Sequence, residues 1–256
     1  MYNFVWFISQ PCGIIYLFNA CLLIYTYLLI IEIKQFLMTI HVNDVDLFYE
    51  KTGSGQPFIL THGNGENHEI FDKIINLLSE KFCVYAVDTR GHGKSGKTNE
   101  YNYQDIANDF VEFIKQLGLV KPVFYGFSDG GIAGIIMASQ HPDLLDKLIV
   151  SGANLTPDGL KSKWMFLIRI IYFFTRNKKI KMIISQPNIN DCELRKIKTP
   201  TLVLAGQQDM IKEKHTLHIA EQIQNSKLKI IEGENHGSYI IHSAKLFEFI
   251  KDFAGF

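Results

Sequence analysis

Near the middle of the chain a serine stands among glycines, Gly126-Phe127-Ser128-Asp129-Gly130-Gly131, directly after a run of β-formers and directly before a helical period. A serine at its ordinary pKa is a weak nucleophile. To attack a carbonyl it needs a general base, an acid that orients the base, and donors for the oxyanion that forms. Residues of each kind follow in the order Ser, Asp, His: Asp209 lies beyond Thr201-Leu202-Val203-Leu204, and His236 lies beyond the run ending at Ile231. Either one by itself reads as an ordinary loop residue, and Ser128 by itself could merely cap the next helix; their joint order is what points to acyl chemistry. Asp191 is a weaker candidate acid, because it precedes the strand instead of following it.

Thr61-His62-Gly63-Asn64-Gly65 supplies a turn in which a backbone N–H can face a developing negative charge, and the residue after the nucleophile supplies a second donor. The expected oxyanion donors are the backbone amides of Asn64 and Asp129. His62 is expected to anchor this loop through its ring and not to act as a base. Asp88-Thr89-Arg90-Gly91-His92-Gly93-Lys94-Ser95 is also glycine-rich, but it lacks phosphate-loop spacing and reads as a structural turn bordering the site.

These residues must be held by particular elements. Short apolar runs bounded by turn residues, at Phe58–Thr61, Cys83–Val87, Val123–Tyr125, Leu148–Val150, Thr201–Leu204 and Leu228–Ile231, suit strands buried on both faces. Thr39 to Glu50 predicts an opening strand pair with Asn43-Asp44 as the turn. Helical periods fall at Glu69–Glu80, Tyr103–Leu117, Gly131–His141, Lys212–Asn225 and Tyr239–Phe253. The alternation predicts an α/β fold, a mostly parallel central sheet flanked by helices, with chemistry at the carboxyl ends of the strands.

The bulk properties narrow the function. With 26 basic and 26 acidic residues among 256, the chain has no general field that would attract nucleic acid. Cys12, Cys21, Cys83 and Cys192 form no C-x-x-C pair, so neither a zinc site nor a disulfide framework is signalled and a reducing, cytoplasmic setting is expected for the catalytic domain. No metal or organic cofactor is expected. Residues 1–37 stand apart: Met1 to Ile31 carries no charge, and the run within residues 12–33 is long enough to span a bilayer. It reads either as a membrane anchor or as an upstream extension that is not translated, with Met38 opening a self-sufficient domain over 38–256; a cleaved signal peptide is disfavoured, since no basic start and no cleavage site is present.

From about Thr39 to Phe253 the chain resembles the alpha/beta-hydrolase fold enzymes, on His62-Gly63-Asn64-Gly65, the Asp88–Ser95 turn, Gly126–Gly131, Asp209 and His236. The resemblance implies a serine hydrolase of small-molecule esters or related acyl compounds, with Ser128, Asp209 and His236 as triad. Haloalkane dehalogenases share the plan but need an aspartate where Ser128 stands. A cofactor-free haloperoxidase or perhydrolase on the same triad, and a non-catalytic binding protein on the same fold, are the alternatives. Ser128-Asp129-Gly130-Gly131 with Ser151-Gly152-Ala153-Asn154 is similar to the valacyclovir hydrolase-like group of α-amino-acid ester hydrolases. That similarity implies substrate binding by Asp129, through the ammonium group of the substrate; the structural alternative is that Asp129 bonds the loop near Asp88 to Ser95.

A short helical cap is expected at about 155–195. Between Gly159 and Asn190 it carries seven basic residues and no acidic one, and Trp164 to Phe174 is apolar except for Arg169. The preferred expectation is a lid helix that buries its apolar face over the site; the alternative is an element lying on an anionic membrane surface.

Overall fold

The computed structural model describes residues 38–256, and the expectations for the apolar segment 1–37 lie outside the described residues. Among the described residues no helix is long and apolar enough to cross a membrane.

The chain runs β1 (Thr39–Val42), β2 (Val45–Thr52), β3 (Gln56–Thr61), α1 (Asp72–Ser79), β4 (Phe82–Val87), α2 (Tyr103–Gln116), β5 (Val123–Phe127), α3 (Asp129–Gln140) and β6 (Lys147–Ser151). A cap of α4 (Ser162–Thr175), α5 (Lys178–Ser185) and α6 (Asp191–Arg195) follows, then β7 (Thr201–Gly206), α7 (Glu213–Gln222), β8 (Ser226–Ile231) and α8 (Lys245–Ala254). The sheet order is β1-β2-β4-β3-β5-β6-β7-β8. The β1–β2 and β2–β4 pairs are antiparallel, and the β3–β4, β3–β5, β5–β6, β6–β7 and β7–β8 pairs are parallel.

The strands read as continuous apolar runs because both faces are covered. Alternate side chains of β4 go to opposite cores: Phe82, Val84 and Ala86 join Ile74 of α1 and Ile250 of α8, whereas Cys83, Tyr85 and Val87 join Phe110 and Phe113 of α2. The chain passes from β3 outward to β4 and then returns to β5 on the other side of β3, so the carboxyl ends of β3 and β5 flank the point where strand order reverses.

The element boundaries show where local pattern misleads. The helix expected over Tyr239–Phe253 begins only at Lys245: Tyr239 and Ile240 are buried in a turn closed by Ile240 and Ile241 N–H bonds to the Gly237 carbonyl, and His242 sits at φ 50°. Glu69–Glu80 divides into a 3-10 turn over His68–Phe71, capped by the Asn67 side chain, and α1. The expected Lys212–Asn225 helix stops at Gln222, and the expected Gly131–His141 helix starts two residues earlier, at Asp129.

The cap meets the expectation that it buries its apolar face over the site only in part, since Ile168 and Ile171 line the cavity beside Ser128 while other large apolar side chains stay exposed. No residue of α4 is fully buried; Trp164, Ile168 and Tyr172 are half-buried, while Phe166, Phe173 and Phe174 stand 68%, 63% and 78% exposed. Apolar residues occupy both sides of this helix, so packing one face over the domain leaves the other in solvent.

Candidate active site

Ser128 follows β5 directly and is the residue before α3, with φ 51° and ψ −111°. A non-glycine residue held there stores about 1–3 kcal/mol of strain, which the surrounding packing must offset. The neighbours are too close for side chains: a Cβ on Gly126 would lie 2.3 Å from the Gly130 carbonyl oxygen, and one on Gly130 would lie 2.6 Å from Thr61 Cγ2. The Ser128 N–H donates to the Ser151 carbonyl at 2.8 Å, fixing the turn to the end of β6.

The structure brings the three sequence-derived residues together. Ser128 Oγ lies 3.1 Å from His236 Nε2, and His236 Nδ1 lies 2.7 Å from Asp209 Oδ1. The same Asp209 oxygen accepts the Ile211 N–H at 2.9 Å, which sets the carboxylate's orientation. Asp209 is buried, whereas His236 has a partly accessible ring and packs on Phe127 with centroids 4.9 Å apart. Asp191 does not join them; it bonds His218 at 2.8 Å.

The loop after β3 reaches the same place, because β3 and β5 are neighbours. Among the turn and loop hydrogen bonds of the described residues, no backbone carbonyl accepts from the Asn64 N–H. The Asp129 N–H belongs to the first turn of α3, where amides have no intrahelical acceptor. The loop is braced from beneath by His62, which is fully buried. Its Nε2 accepts the Thr89 N–H at 3.1 Å, so its Nδ1 carries the proton and donates to the Gly63 carbonyl at 2.7 Å. Burial pushes this imidazole down to about 4, and it stays neutral.

The Asp88–Ser95 turn is a hydrogen-bonded frame. Asp88 accepts from the His68 N–H, the His68 ring and the Lys94 N–H at 2.7, 2.8 and 2.8 Å. Arg90 is buried against Asp109 through paired bonds of 2.6 and 2.7 Å.

Asp129 does not bond this turn, as one expectation had it. Its Oδ1 accepts the Tyr103 hydroxyl at 2.8 Å and its Oδ2 accepts the Asn64 side-chain amide at 2.9 Å. Burial raises its pKa against the pull of those two donors. Three side chains here escaped the sequence analysis. Tyr103 is one. Glu66 is another: it lines the cavity beside Ser128, accepts the Gly63 N–H at 3.0 Å and has its pKa raised by burial. Lys179 of α5 is the third; its ammonium donates to the Gly91 carbonyl at 2.7 Å and burial lowers its pKa. Only Glu66 carried a signal, as the acid three residues beyond Gly63 in the same loop.

The cavity over Ser128 holds about 300 Å³. Asn64, Glu66, Asp129 and His236 form its polar floor, and Leu160, Ile168, Ile180, Ile183 and Met210 form an apolar wall drawn largely from the cap. The cap's entrance is joined to the loop that bears Asp209 by a bridge between Leu160 and Ile211, with Lys161 N–H to Met210 O at 2.9 Å and Lys212 N–H to Gly159 O at 2.7 Å. No cluster of His, Cys, Asp or Glu among the described residues could hold a metal ion. Cys83 and Cys192 are free thiols.

Comparison with known proteins bears on the fold and on kinship. Residues 56–177 match the alpha/beta hydrolase fold family. The human serine hydrolase BPHL is 27% identical over 83% of this chain and 84% of its own length. AB hydrolase superfamily protein YisY of Bacillus subtilis is 27% identical over 82% of this chain and 96% of its own. Among solved structures, a thermophilic esterase from Thermogutta terrifontis superposes with a TM-score of 0.71 at 21% identity, covering 84% of this chain and 96% of that one. An enol-lactonase from Burkholderia xenovorans LB400 gives 0.70 at 19% identity, covering 84% and 98%.

Proposed function

We propose that this chain, whose residues 56–177 match the alpha/beta hydrolase fold family, is a serine hydrolase that cleaves carboxylic esters or related acyl bonds through an acyl-enzyme. The observation that carries this reading is the pair of contacts at His236: 3.1 Å to the Ser128 hydroxyl on one nitrogen and 2.7 Å to Asp209 on the other.

His236, held by Asp209 in the tautomer that leaves Nε2 free to accept, takes the Ser128 proton as Oγ attacks the carbonyl carbon. The oxyanion is received by the Asn64 and Asp129 backbone amides. His236 then gives its proton to the departing alkoxide. Water, deprotonated by the same ring, attacks the acyl-enzyme and releases the acid with Ser128 restored. Asp129 supports this chemistry through Asn64: its carboxylate clamps the side chain of the residue whose amide is one donor, and its own amide is the other. Both of its oxygens already have protein donors, which favours the clamp over capture of a substrate ammonium.

The test is the initial rate on two matched esters, one with and one without an α-ammonium group, with Ser128→Ala as the blank. Turnover of either ester above the blank, with an acyl adduct on Ser128 seen by mass spectrometry after acid quench of the unaltered chain and lost in His236→Ala, is the expected result. Equal rates on the two esters support the clamp reading of Asp129; a strong preference for the ammonium ester assigns it to substrate binding. No turnover on either ester overturns the hydrolase reading for this substrate class.

A further inference from the structure

Most of the large apolar side chains that stand exposed among the described residues lie on one helix, α4: Phe166, Leu167, Ile170, Ile171, Phe173 and Phe174. Phe166, Ile170, Phe173 and Phe174 recur at i, i+4, i+7 and i+8, which is one continuous face. The opposite face is committed to the domain, since Ile168 walls the cavity over Ser128 and Trp164 lines the adjoining one. A stripe of this kind, contiguous and facing water, marks an interaction surface.

Charge says what covers it. Residues 159–190 carry Lys161, Lys163, Arg169, Arg176, Lys178, Lys179 and Lys181 and no acid, in a chain whose total charge is zero. Among the described residues only Lys178 of this group has an acidic partner, Glu100 at 3.6 Å. The cations border the apolar face: Arg176 lies over the Tyr172 and Phe173 rings at 5.6 and 5.3 Å, and Lys163 over Trp164 at 5.6 Å. A second copy of the chain docking through the same face would set like charges against each other with no acid to meet them. Aromatic and branched residues flanked by unpaired cations instead match a bilayer surface rich in anionic headgroups.

We propose that α4 docks on anionic membrane surfaces, with Phe166, Phe173 and Phe174 inserted below the headgroups and the flanking Lys163, Arg169 and Arg176 on the phosphates. At 14 residues the helix lies on a bilayer and does not span it. Resting on the serine-hydrolase reading above, docking places the cavity mouth beside the lipid phase, because Ile171 of the same helix belongs to the cavity wall. The substrates served are then acyl esters that partition into the bilayer.

The experiment reports on α4 itself, so that membrane contact by any other part of the full chain does not enter. In the full chain, a Trp6→Phe, Trp164→Phe and Phe173→Trp variant, whose single tryptophan is at position 173, is mixed with vesicles of phosphatidylcholine and phosphatidylglycerol in equal parts, containing brominated acyl chains. Quenching of the residue-173 fluorescence is expected on these vesicles, and much less on phosphatidylcholine alone or at high salt. Phe166→Ser, added to Phe174→Ser in the same background, should weaken the vesicle partitioning read by this quenching about tenfold or more. Absence of quenching on anionic vesicles overturns the proposal, as does equal quenching on neutral ones. A dimer in solution that the serine substitutions dissociate, with no quenching, assigns the face to a second copy instead. Ser128→Ala should leave the quenching unchanged, so docking stands or falls apart from catalysis. In the otherwise unaltered chain, the substitutions Phe166→Ser, Phe173→Ser and Phe174→Ser should lower hydrolysis of a long-chain ester in anionic vesicles and spare that of a water-soluble short ester. If neither ester is hydrolysed by the unaltered chain, it is the hydrolase reading that has failed.

Discussion

The buried imidazole of His62 makes acid stability a direct probe of how the loop after β3 is held. Its folded-state pKa is about 4, against an ordinary value of 6.5, and the dominant cause is burial. Because the folded value is depressed, the unfolded chain binds a proton between about 6.5 and about 4 that the folded chain refuses. Stability from this group is therefore complete above the upper limit and is lost as pH falls through the window. Linkage over that interval gives a loss of about 2 kcal/mol between pH about 7.5 and about 5. His92, lowered to about 3 by burial, acts in the same sense. His68 opposes both: its raised pKa, sustained by Asp88 and Glu50 against its burial, contributes stability that grows on acidification below its folded value. The total slope mixes these groups, so the test is a difference. Urea unfolding of the unaltered chain and of His62→Gln, followed by circular dichroism, should give a stability gap that narrows by about 2 kcal/mol from pH about 7.5 to about 5. A gap that stays constant refutes the argument, as does a His62 ring proton that titrates near 6.5 by NMR.

Other substitutions follow from the same contacts. Gly126→Ala should destabilise by about 2 kcal/mol or more and abolish activity, since the new methyl would meet the Gly130 carbonyl 2.3 Å away; thermal unfolding and turnover together read this. Asp109→Ala removes the paired bonds to the buried Arg90 guanidinium and leaves it only the more exposed Asp44 and Asp105; it should cost about 1.5–3 kcal/mol in denaturant titration, while Arg90→Met with Asp109→Leu should recover most of it. Tyr103→Phe removes the donor to Asp129 Oδ1 and should cost about 1–3 kcal/mol of stability. It should lower kcat more than it raises KM if Asp129 acts by positioning Asn64; a rise in KM alone points to substrate contact.

What the sequence reveals here follows chemical constraint. Ser128 and the glycines around it are readable because a sharp turn between strand and helix tolerates few residue types, and Asp209 and His236 because they stand just beyond apolar runs that must be strands. The strand runs themselves are legible since burial on both faces removes polar residues. Tyr239–Ala244 is not legible: buried side chains there mimic a helical period, but the backbone bonds go to Gly237 and Ile70, and nothing local signals a turn. Tyr103 and Lys179 touch the site across long separations in the chain, and only tertiary packing reveals such pairs. The two-sided apolar character of α4 was visible in its composition, whereas which face would be left uncovered depended on how the cap seats.

The bridge between Leu160 and Ile211 bears on how such a protein can diversify. It fastens the first residues of the cap to the segment carrying Asp209, so insertions, deletions or exchanges beyond Lys161 begin from a fixed point and leave the acid in register with His236. On the hydrolase reading proposed above, a change of cap sequence can reshape the cavity wall while the contact between Asp209 and His236 stays where it is.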